Sequence, residues 1–267
     1  MIVIQLLIGG YNLNRKKTLV IGIGEVGGAL ADVLSVNEPV LRHDLEIQAF
    51  DDSIGVMHIC IPCRNGAEFE AAVLAYIDRF QPELTVINST VIPGTTRRIA
   101  QASGAAVAYS PVRGKHARMA SDLRRYFKFV AAAAADIAAA AERHFQRHGM
   151  KTRRMNLIET LELAKLAETT YFGVLIAFAQ VLNRYCDQIN GDYYEATQLF
   201  EEIDFLPRCR YFPGIIGGHC VLPNLQLLLQ LEPSALLHAV LESNACRIDE
   251  LSEPHIAQET VKAGVDR

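Results

Sequence analysis

The chain has 267 residues, half of them hydrophobic, with a formal net charge of −4. That is enough apolar material for one large domain or two smaller ones, and the mildly acidic balance argues against a nucleic-acid partner. The six cysteines follow no regular framework, and no basic region precedes the apolar residues 1–8, so a reducing, cytoplasmic setting is expected.

In chain order, a short apolar run at 18–23 ends in glycines, and residues 26–34 carry a helical pattern. Strand-like runs follow at 40–42, 56–61, 84–88 and 106–109, with helix-like segments at 67–80 and 95–102. Strands alternating with helices at this spacing predict an α/β fold, a doubly wound parallel sheet of Rossmann type. Residues 127–130 read as a further strand, and the alanine-rich tract 131–147 has high helix propensity. From about residue 157 the character changes. Helical periodicity runs from 158 to 189, and two more helical stretches, 193–203 and 234–251, flank a glycine-crowded loop. The expected architecture is a nucleotide-binding domain over 1–156 and a small all-helical domain over 157–267, joined by the long helix. Its apolar run, 171–181, falls short of the ~20 residues of a membrane span, so no membrane partner is expected. That run is apolar on too many faces for one small domain to cover, which predicts a homodimer through this helix. The polar stretch from 254 reads as a loose tail.

The turn Gly22-Ile23-Gly24-Glu25-Val26-Gly27 follows a predicted strand and opens a predicted helix. In a dinucleotide site the first glycine makes the tight turn, the second admits the pyrophosphate, and the third lets helix and strand pack closely. Asp44 stands 17 residues after Gly27, at the end of the next strand, where an acid accepts hydrogen bonds from the adenosine ribose. This favours NAD over NADP, although Arg42 and His43 leave room for a phosphate. A glycine turn that binds no nucleotide is the plain alternative. Cys60-Ile61-Pro62-Cys63 ends a strand on the same side, with no second such pair. Its small residues, Pro62 among them, are expected to shape a nucleotide-facing loop, and no metal site is expected.

Near the C-terminus, Phe212-Pro213-Gly214-Ile215-Ile216-Gly217-Gly218-His219-Cys220 delivers one cysteine on a glycine-rich backbone. A hydride acceptor together with such a cysteine suggests oxidation of an alcohol or aldehyde through a thiol adduct. His219 is read as a structural hydrogen-bonding residue, with an acid–base role as the alternative, and Cys186, Cys209 and Cys246 as packing residues.

Three more segments complete a pattern: Ser89-Thr90-Val91-Ile92-Pro93-Gly94-Thr95-Thr96, Tyr109-Ser110-Pro111-Val112-Arg113 and Thr160-Leu161-Glu162-Leu163-Ala164-Lys165-Leu166. With Gly217-Gly218-His219-Cys220, the ordered set resembles the UDP-glucose/GDP-mannose dehydrogenase family of nucleotide-sugar 6-dehydrogenases over about residues 18–250. The first half also looks like the wider β-hydroxyacid dehydrogenase group. The nucleotide-sugar resemblance implies NAD as cofactor, with Ser89 and Thr90 beside it and Thr90 bonded to substrate or water. It implies Cys220 as the nucleophile, Lys165 as the cation that assists it, and a small-molecule substrate, a sugar or nucleotide sugar. Glu162, one turn before Lys165, is expected to pair with it weakly.

Three positions depart from the family pattern. Its Ser-Pro-Glu is Ser110-Pro111-Val112 here, its oxyanion-binding asparagine is Thr169, and its aspartate four residues beyond the cysteine is Asn224. Asn224 cannot accept a proton, so slow thioester hydrolysis is implied. The chain is expected to be a short form without the family's C-terminal nucleotide-sugar-binding domain. Two alternatives stay open: a two-electron β-hydroxyacid-type dehydrogenase that relies on Lys165, and a cofactor-binding scaffold without turnover.

Overall fold

A computed structural model describes residues 16–44, 53–114, 116–204, 211–218 and 220–252. The expectations for residues 1–8, Cys209, His219 and the tail from 254 lie outside these residues. The chain divides into two compact units, Met1–Lys165 and Leu166–Arg267, so the division falls within the long helix.

The first unit is an α/β fold built on a seven-stranded sheet. Its strands are β1 (Lys17–Ile21), β2 (Val40–His43), β3 (Ile54–Ile59), β4 (Leu84–Ile87), β5 (Val107–Tyr109), β6 (Lys128–Ala132) and β7 (Thr152–Arg154). They lie in the order β2-β1-β3-β4-β5-β6-β7, and all neighbours are parallel except β5 and β6. The chain leaves β1 for β2 on one side and returns to β3 on the other. Strand order therefore reverses between β1 and β3, and crevices at such reversals hold ligands in open α/β sheets.

The helices of this unit are α1 (Glu25–Leu34), α2 (Gly66–Phe80), α3 (Thr95–Ser103), α4 (Met119–Arg125) and α5 (Ala135–Arg147), with the start of α6 (Ile158–Gln188). Both faces of the sheet are covered, which is why its strands read as near-continuous apolar runs. Val20, Val56, Val86 and Val130 pack with Leu30, Leu34, Leu123 and Phe145 on one face. Leu19, Ile21, Met57, Ile59 and Ile87 pack with Phe69, Val73, Ile99, Ile158 and Leu161 on the other. Truncating a leucine at such a position costs about 2–5 kcal/mol.

Local propensity yields to strand pairing at one point. The predicted helix over 131–147 begins only at Ala135, because Ala131 and Ala132 pair antiparallel with Tyr109 and Ala108. Neither α4 nor the edge strand β7 is expected from sequence, since each is short and carries little apolar patterning.

The second unit contains the remainder of α6, then α7 (Tyr193–Glu201), α8 (Val221–Leu231) and α9 (Ala235–Ser252). Helix α8 is not expected from sequence. Its Pro223 lies in the first turn, where the missing N–H interrupts no helical bond. Ala177, Ile216, Val221, Leu225 and Val240 form one small core, and Ala179, Cys186 and Tyr193 another. On α6, Tyr171, Phe178 and Tyr185 stay exposed at seven-residue spacing, with Phe172 and Ile189 beside them. Helix α6 is long and apolar enough to cross a membrane by length and composition, and 33% of its most apolar stretch is buried within the chain.

Candidate active site

The glycine turn is fixed by sterics. Gly22 closes β1 with a positive φ of 85°, and its N–H donates to the His43 carbonyl at 2.8 Å. A side chain at Gly27 would put its Cβ 1.8 Å from the Gly22 oxygen and 3.0 Å from the Cys60 side chain. Only glycine permits that approach of helix and strand. Gly24 is different. A Cβ there would meet nothing within 4 Å, so its exposed side opens onto space. It is also the N-cap of α1 and supplies no side-chain cap. The first-turn amides, at Glu25 and Val26 among others, are thus presented with the positive end of the helix dipole beside a bare backbone. These residues fit a pyrophosphate at the strand-order reversal.

Asp44 follows β2 directly and is exposed. The Arg42 guanidinium is held by Asp32 at 2.6 Å, and His43 is turned into the interior with its ring edge-on to Tyr76 and Phe80.

Two loops border the turn. Pro62 is exposed, and the Ser89 hydroxyl donates to the carbonyls of Ile61 at 2.6 Å and Ile59 at 3.3 Å, tying the 60–63 loop to the end of β4. Burial pushes the Cys60 thiol up to about 12, and burial with the nearby Glu70 charge pushes Cys63 up to about 11. Both are inert at neutral pH, as a shaping role requires. Thr90 is half-buried in the next loop.

Glu162 corrects an expectation. Instead of pairing weakly with Lys165, it is fully buried and accepts from the amides of Gly94 at 2.6 Å and Thr96 at 2.9 Å. It caps α3 from a distance, satisfying amides that Gly94 leaves bare. Burial raises its pKa despite these bonds. The loop carrying Thr90 is thereby anchored to α6.

Lys128 was not singled out in the sequence. It is 3% exposed, and its Nζ donates to Asn88 Oδ1 at 3.1 Å, the Ser110 carbonyl at 2.6 Å and the Pro111 carbonyl at 3.1 Å. Burial draws its pKa down to about 7. One ammonium thus ties the loop after β4 to the loop after β5. The signal was present: Lys128 is two residues from Val130, so strand alternation puts both on one face. Val112, beside this junction, is buried in the core. An apolar residue replaces the family's glutamate there and packs.

In the second unit, Cys220 is the half-buried N-cap of α8. The Asn224 amide N–H donates to the Cys220 carbonyl at 3.1 Å, and the Asn224 side chain, itself buried, donates to Thr169 Oγ1 at 2.8 Å. Thr169 in turn donates its hydroxyl to the Leu166 carbonyl at 3.1 Å. Two residues that depart from the family pattern therefore satisfy each other. The glycine loop is splinted by buried amides that the sequence did not advertise. Gln180 Nε2 donates to the Gly214 carbonyl at 2.7 Å, and Asn244 accepts from Ile216 N at 2.6 Å and donates to its carbonyl at 3.2 Å. Ser243 donates to Gln180 Oε1 at 2.9 Å. Gln180 interrupts an apolar stretch of helix, which was the available clue. Lys165 is half-buried at the end of the first unit.

Comparison with known proteins follows the same division. Residues 159–250 match the central domain of the UDP-glucose/GDP-mannose dehydrogenase family. A UDP-N-acetyl-D-mannosamine dehydrogenase of Methanococcus maripaludis is 24% identical over 230 residues, covering 79% of this chain and 53% of the relative. The chain spans about half the length of that curated relative. The solved UDP-N-acetyl-mannosamine dehydrogenase of Pyrococcus horikoshii has a TM-score of 0.76 at 21% identity, over 88% of this chain and 69% of that one. The 3-hydroxyisobutyrate dehydrogenase of Mycobacterium tuberculosis has a TM-score of 0.68 at 12% identity, over 88% of this chain and 94% of that one. Both structures share the fold.

Proposed function

We propose that the chain is the cofactor-binding and central part of an NAD-dependent dehydrogenase that oxidises a primary alcohol of a nucleotide-linked sugar, with Cys220 as the thiol that captures the aldehyde. The observation that carries this reading is the pairing in one chain of an open, uncapped glycine turn at the strand-order reversal with the family's central domain and its cysteine loop. Two of the three proteins named above are UDP-N-acetyl-mannosamine dehydrogenases, which points to UDP-linked hexosamines as the substrate class. Asp44 favours NAD over NADP, because its carboxylate would repel a 2′-phosphate and Arg42 is already paired with Asp32.

When bound, NAD would supply a two-electron acceptor, and the path from alcohol to thioester would use two of them in turn. The chain's own groups do the rest. The first-turn amides at Glu25 and Val26 hold the pyrophosphate, and Gly24 leaves it room. Pro62 and Ser89 keep the neighbouring loops in register, and Thr90 bonds the substrate. Cys220 Sγ bonds to the aldehyde carbon, its proton leaves, and the carbonyl electron pair becomes an alkoxide that Lys165 stabilises. After oxidation of this adduct, water opens the thioester and returns the thiol. Asn224 cannot take the proton of that water, and the Thr169 hydroxyl proton is committed to Leu166. Hydrolysis is therefore the slow step. The exposed stripe of Tyr171, Phe178 and Tyr185 supports a homodimer through α6.

Incubation with NAD and UDP-N-acetyl-mannosamine tests this reading. NADH should appear in a burst, with an acyl adduct at Cys220 by mass spectrometry, and Asn224→Asp should speed its release. A second reading, a two-electron β-hydroxyacid-type dehydrogenase, is favoured by the spent Asn224–Thr169 pair, which serves no hydrolysis. It prevails if Cys220→Ser leaves steady-state oxidation unchanged. If NAD binds and no substrate reduces it, the chain is a cofactor-binding scaffold.

A further inference from the structure

A second cluster lies in the first unit, away from the strand-order reversal, and the dehydrogenase reading does not use it. His144, in the last turn of α5, and His148, its C-cap, are one helical turn apart and almost fully buried. Glu38, between α1 and β2, approaches them, and one ligand atom from each of the three lies within 4.8 Å of the others. Two histidines four apart on a helix with one carboxylate form a donor set typical of a borderline divalent cation.

The distances suit shared ligands better than a hydrogen bond. His148 Nε2 stands 3.5 Å from Glu38 Oε1. That is long for a charge-assisted bond and close to the about 3.4 Å between two ligands of a tetrahedral zinc. The other nitrogen of His148, Nδ1, is buried with no hydrogen-bond partner among the described residues. Glu38 already has an outer partner, as metal-ligating carboxylates do. The Thr18 hydroxyl donates to Glu38 Oε1, and His58 Nε2 lies 2.9 Å from His144 Nε2. His58 is held in turn by Asn88 at 3.1 Å. The Glu38 side chain is 31% exposed, so a cation has a route in from solvent, and a water can fill the fourth position. The Asn37 side chain also donates to the Arg147 carbonyl at 2.8 Å, so the two segments already meet.

We propose that Glu38, His144 and His148 bind one divalent cation, zinc in preference to the oxygen-seeking magnesium and calcium, and that this ion clamps the α1–β2 connection to the C-terminal end of α5. Its place beside the start of β1, rather than at the strand ends that carry the glycine turn, makes the role structural. The sequence gives little warning, because Glu38 is far in the chain from the histidine pair and no local motif contains all three.

The test is calorimetric titration of the chelator-treated full chain with zinc chloride, in parallel with a thermal melt. One ion per chain and a raised Tm are expected, because an ion that binds only the folded state stabilises it by mass action. Glu38→Gln and His148→Gln should each weaken zinc at least ~10-fold, while Cys63→Ala should leave it unchanged. Should His148→Gln fail to fold, Glu38→Gln alone decides, because its half-exposed side chain is not needed for packing. Absence of saturable binding, wild-type affinity in Glu38→Gln, or loss of binding in Cys63→Ala would each overturn the proposal.

Discussion

The glycine turn and the cysteine loop are both glycine-rich, yet they are built on opposite principles. In the turn, backbone sits against backbone: the Gly27 position tolerates no Cβ, and the amides at the start of α1 are left without a side-chain cap. In the cysteine loop, a Cβ at Gly217 would meet nothing within 4 Å, and order comes from the side chains of Gln180, Asn244 and Ser243. A site made of backbone is legible from glycine spacing and survives changes around it. A site made of side chains can be rewritten one residue at a time. Thr169 and Asn224, which depart from the family pattern, bond each other there.

The largest effect should separate these principles directly. Gly27→Val should abolish NAD binding and destabilise the first unit by about 3 kcal/mol or more, through overpacking against the Gly22 carbonyl. Gly217→Ala should change stability by less than about 0.5 kcal/mol. Urea denaturation of both variants checks the pair, and equal losses would erase the distinction. A smaller effect is expected at the splint. Asn244→Leu strips partners from both polar groups of Ile216, which should cost about 1–3 kcal/mol and alter the alkylation rate of Cys220. That rate must be read in a Cys246→Ser background, because Cys246 is exposed. Phe178→Glu should leave the fold intact and convert a dimer to monomer in sedimentation; a monomeric parent chain would refute the dimer.

A further effect is a pH slope. The Lys128 pKa falls from 10.5 unfolded to about 7 folded. Below about pH 7 both states hold the proton. Between about pH 7 and 10.5 the unfolded state holds it and the folded state has released it, so stability rises with pH across that window. Lys128→Met should remove this contribution, flattening the stability profile between pH 7 and 10. An unchanged slope would show that the three acceptors around the ammonium keep it charged.

The fold was largely legible, because alternation of buried strands and amphipathic helices needs only local pattern. What escaped depended on tertiary partners. The first residues of the alanine tract went to strand pairing with β5. Glu162 read as a weak partner of Lys165 because its true partners, the amides of Gly94 and Thr96, carry no sequence signature. Lys128 and Gln180 stood out as polar residues in apolar runs, but their acceptors, backbone carbonyls of distant loops, carry no sequence signature either. Of the site, the glycines could be read from spacing, and the network that holds the loops could not.

The central claim is that the turn binds NAD through open backbone, and Gly24 offers the cleanest probe of it. Its φ of −71° is one that any residue adopts, and a Cβ there meets no protein atom within 4 Å. Calorimetric titration of NAD into the wild-type chain and Gly24→Val, with melting temperatures recorded for both, separates binding from folding. The account expects saturable binding to the wild type, none to the variant, and the same Tm without ligand. Equal affinity in the two proteins, or no binding to a folded wild type, would contradict it.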